Sequence, residues 1–493
     1  MFPDRLFPRK FFVVLLAFFL TQLHVAPLRA TDNPIARLPN ADVWMSHMLG
    51  DLMRFWWQDA AFGVPQGAFP TVRCDTGELV NWQRPCPEVG RNTWIRDMHT
   101  IVAQSRQTYA YGVAFHMTGD VAFLDMMRKG VAFIRANFVD RERGGLYTSQ
   151  DRSNGTWGPA WDTRNPQELA YGLLGMSFYY YLTRDPEVLP DILATKKVIF
   201  DNYYNSGANA LQWMLTNQGA TFGSELRLVA QLDQMNAYMV MMTPLLPEPH
   251  KSQWRDDLVW LSRVLIEKFY SPAENMFFLN ANRPADLDLR VSGTDFGHTI
   301  KAMWMIRHTG LLAGDKELVD FVEKNAPKVL ERAYLSGSGS WAQGLLAGGA
   351  IDINKSWWIY AELDQFAGSL AMTYPETARY LPATYEYYLK YFVDQEFGEV
   401  WNGVNGNTHQ PIRDLPKAWQ WKNGYHSMEH ALVAYITTLQ LQGEGVPLWF
   451  AFQKPPVDDE IRPYFYTGKI DKMESQTDAR VGLTWRVTFR DVK

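Results

Sequence analysis

The segment Lys422–His430 holds residue types suited to chemistry, because two histidines and a glutamate fall at helical spacing. His426, Glu429 and His430 form the pattern H-x-x-E-H, in which residues i and i+4 share one face of a helix. Zinc peptidases with an inverted metal motif use this spacing, with the glutamate as base. The stretch after His430 is broken by prolines and offers no obvious third ligand, so zinc is the weaker interpretation and we expect no metal.

A second interpretation combines His426 with two other predicted helix starts. The segment 295–300 opens one helix and contains His298, and the segment 355–358 opens another, with Glu362 one turn further along. If these helices line the inside of a ring, residues at their starts converge on one end of a central cavity. Histidine, tryptophan, lysine and glutamate side chains around such a cavity favour a polar sugar site with two proton carriers.

The elements that position these residues follow a repeat, in which an apolar helix, a tight turn and a second helix recur about every 60–66 residues. We predict twelve helices, near 41–57, 93–117, 120–138, 167–183, 186–204, 226–246, 250–270, 296–313, 316–334, 356–373, 377–396 and 426–442. Six hairpins that close on themselves bury their apolar faces between an inner and an outer ring. The pattern predicts an all-α (α/α)6 toroid with short β-hairpin loops. An open helical solenoid is the alternative, and it would need polar capping repeats.

Several motifs resemble those of the N-acylglucosamine 2-epimerase superfamily, which includes cellobiose 2-epimerases and mannose isomerases. Gly297-His298-x-Ile300 with Trp304 looks like its G-H-x-I-E-x-x-W motif, and the segment 355–362 matches K-x-W-W-x-x-A-E. The segment 417–426 resembles W-K-x-x-Y-H, and Gln104 to Arg106 with Tyr109 is similar to a Q-x-R helix. The likeness covers roughly residues 45 to 440.

The resemblance implies an (α/α)6 barrel that removes a proton from C2 of an open-chain sugar. An epimerase returns the proton to the other face of C2, and an isomerase returns it to C1. His298 and His426 are then the acid/base pair, a role that suits an unperturbed pKa of about 6.5. The implied partner is a carbohydrate, without a cofactor. Residues expected to contact the sugar are Arg106, Tyr109, Asn236, Tyr238, Trp304, Lys355, Trp357, Trp358, Glu362, Tyr425, Glu429 and His430.

The chain also departs from this family at three places. The histidine-rich helix N-x-H-x-H-x-x-E reads Asn236 to Met242 here and lacks both histidines and the glutamate. Lys301 stands in place of the glutamate of G-H-x-I-E, and Glu429 stands in place of the arginine three residues after the last histidine. We expect Glu429 to raise the pKa of His426 or His430 and Lys301 to lower that of His298. These changes favour a substrate different from those of the familiar members.

Composition limits the partners. The 493 residues carry a net charge of −5, which gives no basic surface for nucleic acid, and include 19 tryptophans, which often line sugar clefts. Residues 1–30 read as a signal peptide, with basic residues before a short apolar run. We therefore predict a periplasmic or secreted protein, a monomer or homodimer, with no stable membrane span after cleavage.

The cysteines and the C-terminal residues complete the predicted organisation. Cys74 and Cys86 are the sole cysteines and bracket a turn-rich loop, which predicts a structural disulfide in an exported protein. We expect residues 31–443 to form the toroid. Residues 444–493 are proline-rich and end in an alternating pattern, which predicts an extended β tail packed on the toroid.

Two further functions stay open. The same fold class hosts glycoside hydrolases and lyases that use paired carboxylates, for which Asp97, Asp295, Glu362 and Glu429 are candidates. The chain could instead bind sugar without turnover, with Trp304, Trp357 and Trp358 as a platform.

Overall fold

The helices whose starts carry the motifs are buried along almost their whole length. The computed structural model describes residues 33–217, 222–454, 456 and 461–493; the predicted signal peptide lies outside them. These helices are buried on every side, which is typical of a helix enclosed by others. In chain order they are α1 (Ile101–Thr118), α2 (Pro166–Thr183), α3 (Leu228–Gln234, continuing through Met235–Met239 and Val240–Met242), α4 (Phe296–Ala313), α5 (Trp357–Ala371) and α6 (Gly424–Leu441).

The helices that alternate with them along the chain are amphipathic and form an outer ring. In Lys316–Ala333 the buried residues recur every three or four positions, from Leu318 and Val322 to Ala333. The other outer helices are Val121–Phe133 with Ile134–Phe138, Leu189–Tyr203, His250–Val264 with Leu265–Phe269, and Leu381–Tyr391.

The N-terminal helical segment closes the ring. It runs through Ala41–Ser46, His47–Leu52 and Met53–Trp56 and packs against α6, so the first and last helices of the chain make the sixth hairpin. Each inner helix packs on the next, and α6 packs on α1. The predicted (α/α)6 toroid is confirmed, and each of the twelve predicted helices has a counterpart among the described residues.

The turns between paired helices lie at the boundaries predicted from the sequence. One of them, at Gly119, contacts the C-terminal tail. Gly119 ends α1 with a φ of 76°, a left-handed conformation that glycine adopts without strain. A Cβ at Gly119 would lie 2.4 Å from the ring of Trp449, so the tail strand packs directly on this turn.

Short strands and polar caps set where the inner helices begin. Strands Met98–Thr100, Thr294–Asp295 and Lys355–Ser356 lead directly into α1, α4 and α5. The predicted start of the second helix at 93 is therefore wrong by eight residues, because 98–100 pair with 149–151 in a small sheet. Side chains that accept a hydrogen bond from the first turn cap four inner helices: Thr100, Asn165, Asp295 and Asn423.

The C-terminal residues form a three-stranded antiparallel sheet and a short buried segment. The strands are β1 (Val446–Phe450), β2 (Lys469–Asp478) and β3 (Gly482–Arg490), in the order β1-β3-β2. Between β1 and β2, the segment 461–466 reaches into the toroid, and we call it the plug. The predicted β-strands of the tail are confirmed, and the plug adds a feature that the sequence did not indicate.

Cys74 and Cys86 form the predicted disulfide, with Cα atoms 6.0 Å apart. Within the described residues, helices that combine the length and apolar character needed to cross a bilayer are absent.

Candidate active site

His298 lies in the first turn of α4 and is held by the residue that caps this helix. One carboxylate oxygen of Asp295 accepts the backbone N–H of His298 at 2.6 Å, and the other lies 2.7 Å from its Nδ1. The Asp295 side chain thus caps α4 and also fixes the orientation of the His298 imidazole ring. With Nδ1 engaged, Nε2 is the nitrogen on the opposite side of the imidazole and is available to a ligand.

His426 lies in the first turn of α6, and its Nδ1 is 3.3 Å from Oε1 of Glu362 on α5. Trp358 lies between the two histidines. Its ring centroid is 4.6 Å from that of His298 and 6.0 Å from that of His426. Both imidazoles therefore belong to one site.

The two histidines line a cavity of about 200 Å³ at the end of the toroid where the inner helices begin. Aromatic rings form much of its wall, and charged or amide groups lie among them. Besides the histidines, its lining is Arg106, Gln167, Tyr171, Asp233, Lys301, Trp357, Trp358 and Trp421. Flat apolar faces interspersed with fixed polar groups are what a sugar ring requires.

Two cations lie in the wall, each fixed by its neighbours. The Lys301 ammonium donates to Asp233 at 2.7 Å and to the Tyr171 hydroxyl at 3.0 Å, and all three groups are buried. The Arg106 guanidinium lies 3.8 Å from the centre of the Tyr171 ring and donates to the Trp421 carbonyl oxygen at 2.7 Å. These contacts place fixed positive charge beside the cavity.

Two fully buried carboxyl groups, Glu362 and Glu429, lie with His426 at the inner end of the site. Ligand atoms of the three residues are all within 4.8 Å of one another. The Tyr464 hydroxyl from the plug donates to Glu429 and is 2.9 Å from the Tyr109 hydroxyl. The tail therefore contributes to the layer directly behind His426.

Burial sets the protonation of this layer. It raises the pKa of Glu362 well above its usual range, and the carboxylates of Glu429 and Asp233 add to the effect. It also raises the pKa of Glu429. Burial, followed by the cations Arg106 and Lys301, holds the pKa of His426 well below its usual value. Both shifts favour the neutral forms of His426 and Glu362.

A family model for N-acylglucosamine 2-epimerase matches residues 91–429. The chain belongs to this family. It is 23% identical over 347 residues to a cellobiose 2-epimerase of Ruminococcus albus, a match that covers 66% of this chain and 85% of that protein. A cellobiose 2-epimerase of Bacteroides fragilis is also 23% identical, over 353 residues, with coverage of 66% and 84%.

Solved structures show the same fold. The cellobiose 2-epimerase of Spirochaeta thermophila has a TM-score of 0.67 at 18% identity and covers 81% of this chain and 96% of its own. A D-mannose isomerase has a TM-score of 0.64 at 14% identity, with coverage of 80% and 97%. A family 76 glycoside hydrolase has a lower TM-score of 0.54 at 11% identity, with coverage of 80% and 78%.

The structure brings many of the residues expected from the N-acylglucosamine 2-epimerase motifs to the site. His298, His426, Arg106, Trp357 and Trp358 line the cavity. A second group lies behind it: Glu362 and Glu429, with Tyr109 bonded to Tyr464, and Asn236 donating to the Tyr425 hydroxyl at 2.9 Å.

Four expected residues lie elsewhere, because their side chains leave the inner helices in other directions. Tyr238 bonds to Gln234 and packs on Trp254 of the outer ring, and Lys355 donates to the carbonyl oxygen of Ile353. The remaining two are Trp304, which packs on Phe465 of the plug, and His430, which bonds to Asp364 and packs on Trp44 and Tyr388.

The position of His430 also decides the zinc interpretation. His430 Nε2 is 3.0 Å from Asp364, on the side of α6 that faces the N-terminal helical segment. His426 instead groups with Glu362 and Glu429. The H-x-x-E-H spacing therefore does not produce a pair of histidine ligands. The expectation that Glu429 raises the pKa of His426 or His430 is wrong, because burial lowers both.

Five residues of the cavity were not among the expected site residues: Gln167, Tyr171, Asp233, Lys301 and Trp421. Trp421 precedes the Lys422 of a recognised motif and could have been included. Asp233 had a weaker signal, as an acid within an otherwise buried helix. It pairs with Lys301, so the cation at the family's glutamate position is matched by an acid on the neighbouring inner helix.

Proposed function

We propose that this protein is a carbohydrate 2-epimerase or aldose–ketose isomerase that uses His298 and His426 to move a proton at C2. One observation carries the proposal: histidines from α4 and α6 line one small cavity, and each turns Nδ1 toward a carboxyl group. Similar proteins include cellobiose 2-epimerases, which supports the same class of reaction.

The reaction begins with an open-chain aldose. Nε2 of one histidine takes the proton from C2, the electron pair forms the C1–C2 double bond, and negative charge moves to the C1 oxygen. Fixed cations stabilise an enediolate of this kind because they need no reorganisation as the charge develops. Lys301 and Arg106 occupy the wall where they can do so.

The second half of the reaction decides the product. Return of a proton to the other face of C2, from the other histidine, gives the 2-epimer. Return of a proton to C1, with transfer of the O2 proton to O1, gives the ketose. Atoms and charge balance in both cases, so redox chemistry is not required.

Each histidine must both donate and accept during the cycle, and its partner carboxyl supports this. Asp295 fixes the ring of His298 and stabilises the positive charge that forms when Nε2 takes a proton. Glu362, held neutral by burial, has one O–H donor and one carbonyl acceptor. It can therefore pair with either tautomer of His426, which allows Nε2 to act as base or as acid.

The carboxylate alternative has less support. Glycosidases hold two carboxyl groups about 5–9.5 Å apart across the scissile bond. Glu362 and Glu429 lie within 4.8 Å of His426 and of each other and are fully buried. Asp295 is bound to His298, and Asp97 lies at the surface, 3.5 Å from Arg152.

Proton exchange in deuterated water tests the proposal. The protein is incubated with glucose, mannose, N-acetylglucosamine and their disaccharides, and NMR follows deuterium at C1 and C2. We expect deuterium at C2 together with the epimer, or at C1 together with the ketose. Absence of exchange with every sugar contradicts the proposal, and binding without exchange supports a sugar-binding role instead.

The disulfide fits export to an oxidising compartment, and we propose a periplasmic or secreted location. N-terminal sequencing of the mature protein tests this, since a start close to residue 31 is expected.

A further inference from the structure

A cavity of about 460 Å³ lies at the end of the toroid opposite the two histidines, where the inner helices finish. The outer helix Val121–Phe133 contributes Leu124 and Arg128 to its lining, and the last turns of α2 contribute Tyr179. The C-terminal tail closes the remaining side, with Val481 before strand β3. The volume falls within the roughly 300–1,000 Å³ that is typical of sites for small molecules.

Hydrogen bonds hold the tail against the helices around this cavity. Arg128 donates to the carbonyl oxygen of Arg480 at 3.2 Å. The backbone N–H of Ala451 donates to the carbonyl oxygen of Leu182 at 2.8 Å, and the Gln453 side chain donates to that of Ala451 at 3.1 Å. The walls are therefore preformed, and a ligand binds to such walls with little loss of conformational entropy.

The inner wall of the cavity is apolar. Leu124, Tyr179 and Ala451 are buried, and Val481 adds a partly buried aliphatic side chain. The Tyr179 hydroxyl donates to Asp185 at 3.3 Å, and burial raises the pKa of Tyr179 to about 12, so this group is neutral near pH 7. Such a wall covers the hydrocarbon part of a ligand and removes it from water.

The polar part of the lining has an excess of positive charge. Among the described residues it includes three cationic side chains, Arg128, Arg184 and Lys454, and one carboxylate, Asp185. Arg128 also pairs with Asp125 at 2.5 Å, but its side chain is 50% exposed, and ion pairs at such positions are weak. An excess of cations beside an apolar wall attracts an anion.

We propose that this cavity binds a small amphipathic organic anion, namely a carboxylate with an aromatic or aliphatic body. The body packs against Leu124, Tyr179 and Val481, and the carboxylate accepts hydrogen bonds from Arg128 and Lys454. Arginine suits this role because its planar guanidinium can donate two parallel hydrogen bonds to a carboxylate. An inorganic anion would leave the apolar wall uncovered, and a neutral apolar molecule would make no use of the cations.

A bound anion joins the tail to the toroid, because its contacts come from the outer helix, from α2 and from the tail. A ligand that binds the folded state alone raises the stability of that state by mass action. The melting temperature should therefore rise with the concentration of the ligand. This inference does not depend on the proposed function, since binding requires no turnover.

Three probes test the ligand class: phenylbutyrate, its neutral amide phenylbutyramide, and acetate. Isothermal titration calorimetry with the purified protein measures each Kd. We expect phenylbutyrate to bind about tenfold or more tightly than the amide, which lacks the charge, and than acetate, which lacks the apolar body. Equal binding of phenylbutyrate and the amide overturns the proposal, as does the absence of phenylbutyrate binding at millimolar concentration.

Two neighbouring cations of one outer helix locate the site. Lys129 is the matched control for Arg128, because it is partly exposed, bonds to Gln66 and Asp125, and is not among the described residues that line the cavity. Arg128→Gln should weaken phenylbutyrate binding about tenfold, the usual loss of one charged hydrogen bond. Lys129→Gln should bind it as the wild type does. Equal affinities of these two variants overturn the proposal.

A third variant, Val481→Trp, fills the cavity and should abolish phenylbutyrate binding together with the rise in melting temperature. Wild-type binding in Val481→Trp would place the probe elsewhere and contradict the proposal. Thermal unfolding without ligand shows whether each variant is folded. If Val481→Trp does not fold, the comparison of Arg128→Gln with Lys129→Gln decides, because both substitutions are at partly exposed side chains.

Discussion

The two ends of the toroid use the same six helices for different purposes. At the end where the inner helices begin, caps such as Asp295 and Asn423 orient a cavity with two histidines. At the other end, the plug residues Tyr464, Phe465 and Tyr466 lie between the inner helices and contact α1, α4, α5 and α6. Polar groups at one end are thus available to ligand, whereas those at the other end are bonded to each other.

Cavity volume alone would place the active site at the plug end of the toroid. A cavity of about 460 Å³ lies near the plug end, between the outer helix after Gly119 and the tail, with Leu124, Tyr179 and Val481 in its lining. It is larger than the histidine cavity but is far from His298 and His426 in the fold. The choice of the histidine cavity as the proposed site rests on its two histidines and not on its volume.

We expect the largest effect on activity from substitution of the two histidines, which lie at the end of the toroid that holds the cavity. His298→Ala and His426→Ala should each lower the rate of C2 proton exchange by about 10²–10⁴-fold, the usual contribution of one acid/base group. NMR in deuterated water measures the rate. His250→Ala, at the start of an outer helix, is the control and should retain it. Wild-type exchange in either histidine variant would contradict the assigned pair.

The second effect concerns the buried charges of the cavity wall. Lys301→Met leaves Asp233 buried without its cation, which costs about 3–5 kcal/mol of unfolding free energy. Adding Asp233→Asn removes the other charge and should recover much of the loss. Denaturant unfolding of both single variants and the double variant measures the coupling.

Lys316→Met is the matched control for this cycle, since its pair with Asp320 is exposed and should matter little. A loss no greater for Lys301→Met than for Lys316→Met would show that the buried pair does not stabilise the site.

The third prediction concerns the influence of the plug on the layer behind the histidine cavity. Tyr464→Phe removes the donor to Glu429, and Tyr466→Phe removes a comparable bond to Ser369. Each should lower the unfolding free energy by about 1–3 kcal/mol, because a buried partner is left unsatisfied. The bond from Tyr464 lowers the pKa of Glu429, so its loss moves that ionisation to higher pH.

The profile of kcat against pH distinguishes the two variants. A shifted limb is expected for Tyr464→Phe and a wild-type profile for Tyr466→Phe. Equal profiles would mean that the plug has a structural role alone.

The comparison also explains what could be predicted from sequence. The helices could be predicted because they follow from local periodicity. His298 and His426 could be predicted because they lie in short motifs. Tyr238 and Trp304 were assigned to the site wrongly because inner helices are buried all round, and periodicity then does not show which face looks inward.

Other contacts could not be predicted because they join distant parts of the chain. Lys301 and Asp233 meet only when α4 packs against α3, and Tyr464 reaches Glu429 because the tail returns to the toroid. The pattern of alternating residues predicted strands in the tail, but the plug has no regular period from which a position inside the toroid could be inferred.

The fourth effect is a pH dependence at the layer that joins the two ends. Burial raises the pKa of Glu362 in the folded protein, so the folded state keeps a proton that the unfolded state releases above about pH 4.5. Glu362 therefore stabilises the fold fully below that pH, and its contribution falls as pH rises toward the raised pKa, by about 1.4 kcal/mol per pH unit.

His426 acts in the opposite direction, since its lowered pKa removes stability as pH falls below about 6.5. The Gln side chain of Glu362→Gln cannot ionise. The unfolding free energy of this variant should therefore increase steadily relative to that of the wild type as the pH rises from 5 to 8. Urea unfolding across this range measures the difference, and Glu396→Gln is the control, because Glu396 is exposed in the turn between Asp394 and Gly398. A constant difference would mean that Glu362 is ionised in the folded protein. Its pairing with both tautomers of His426 would then be impossible, because a carboxylate has no proton to donate.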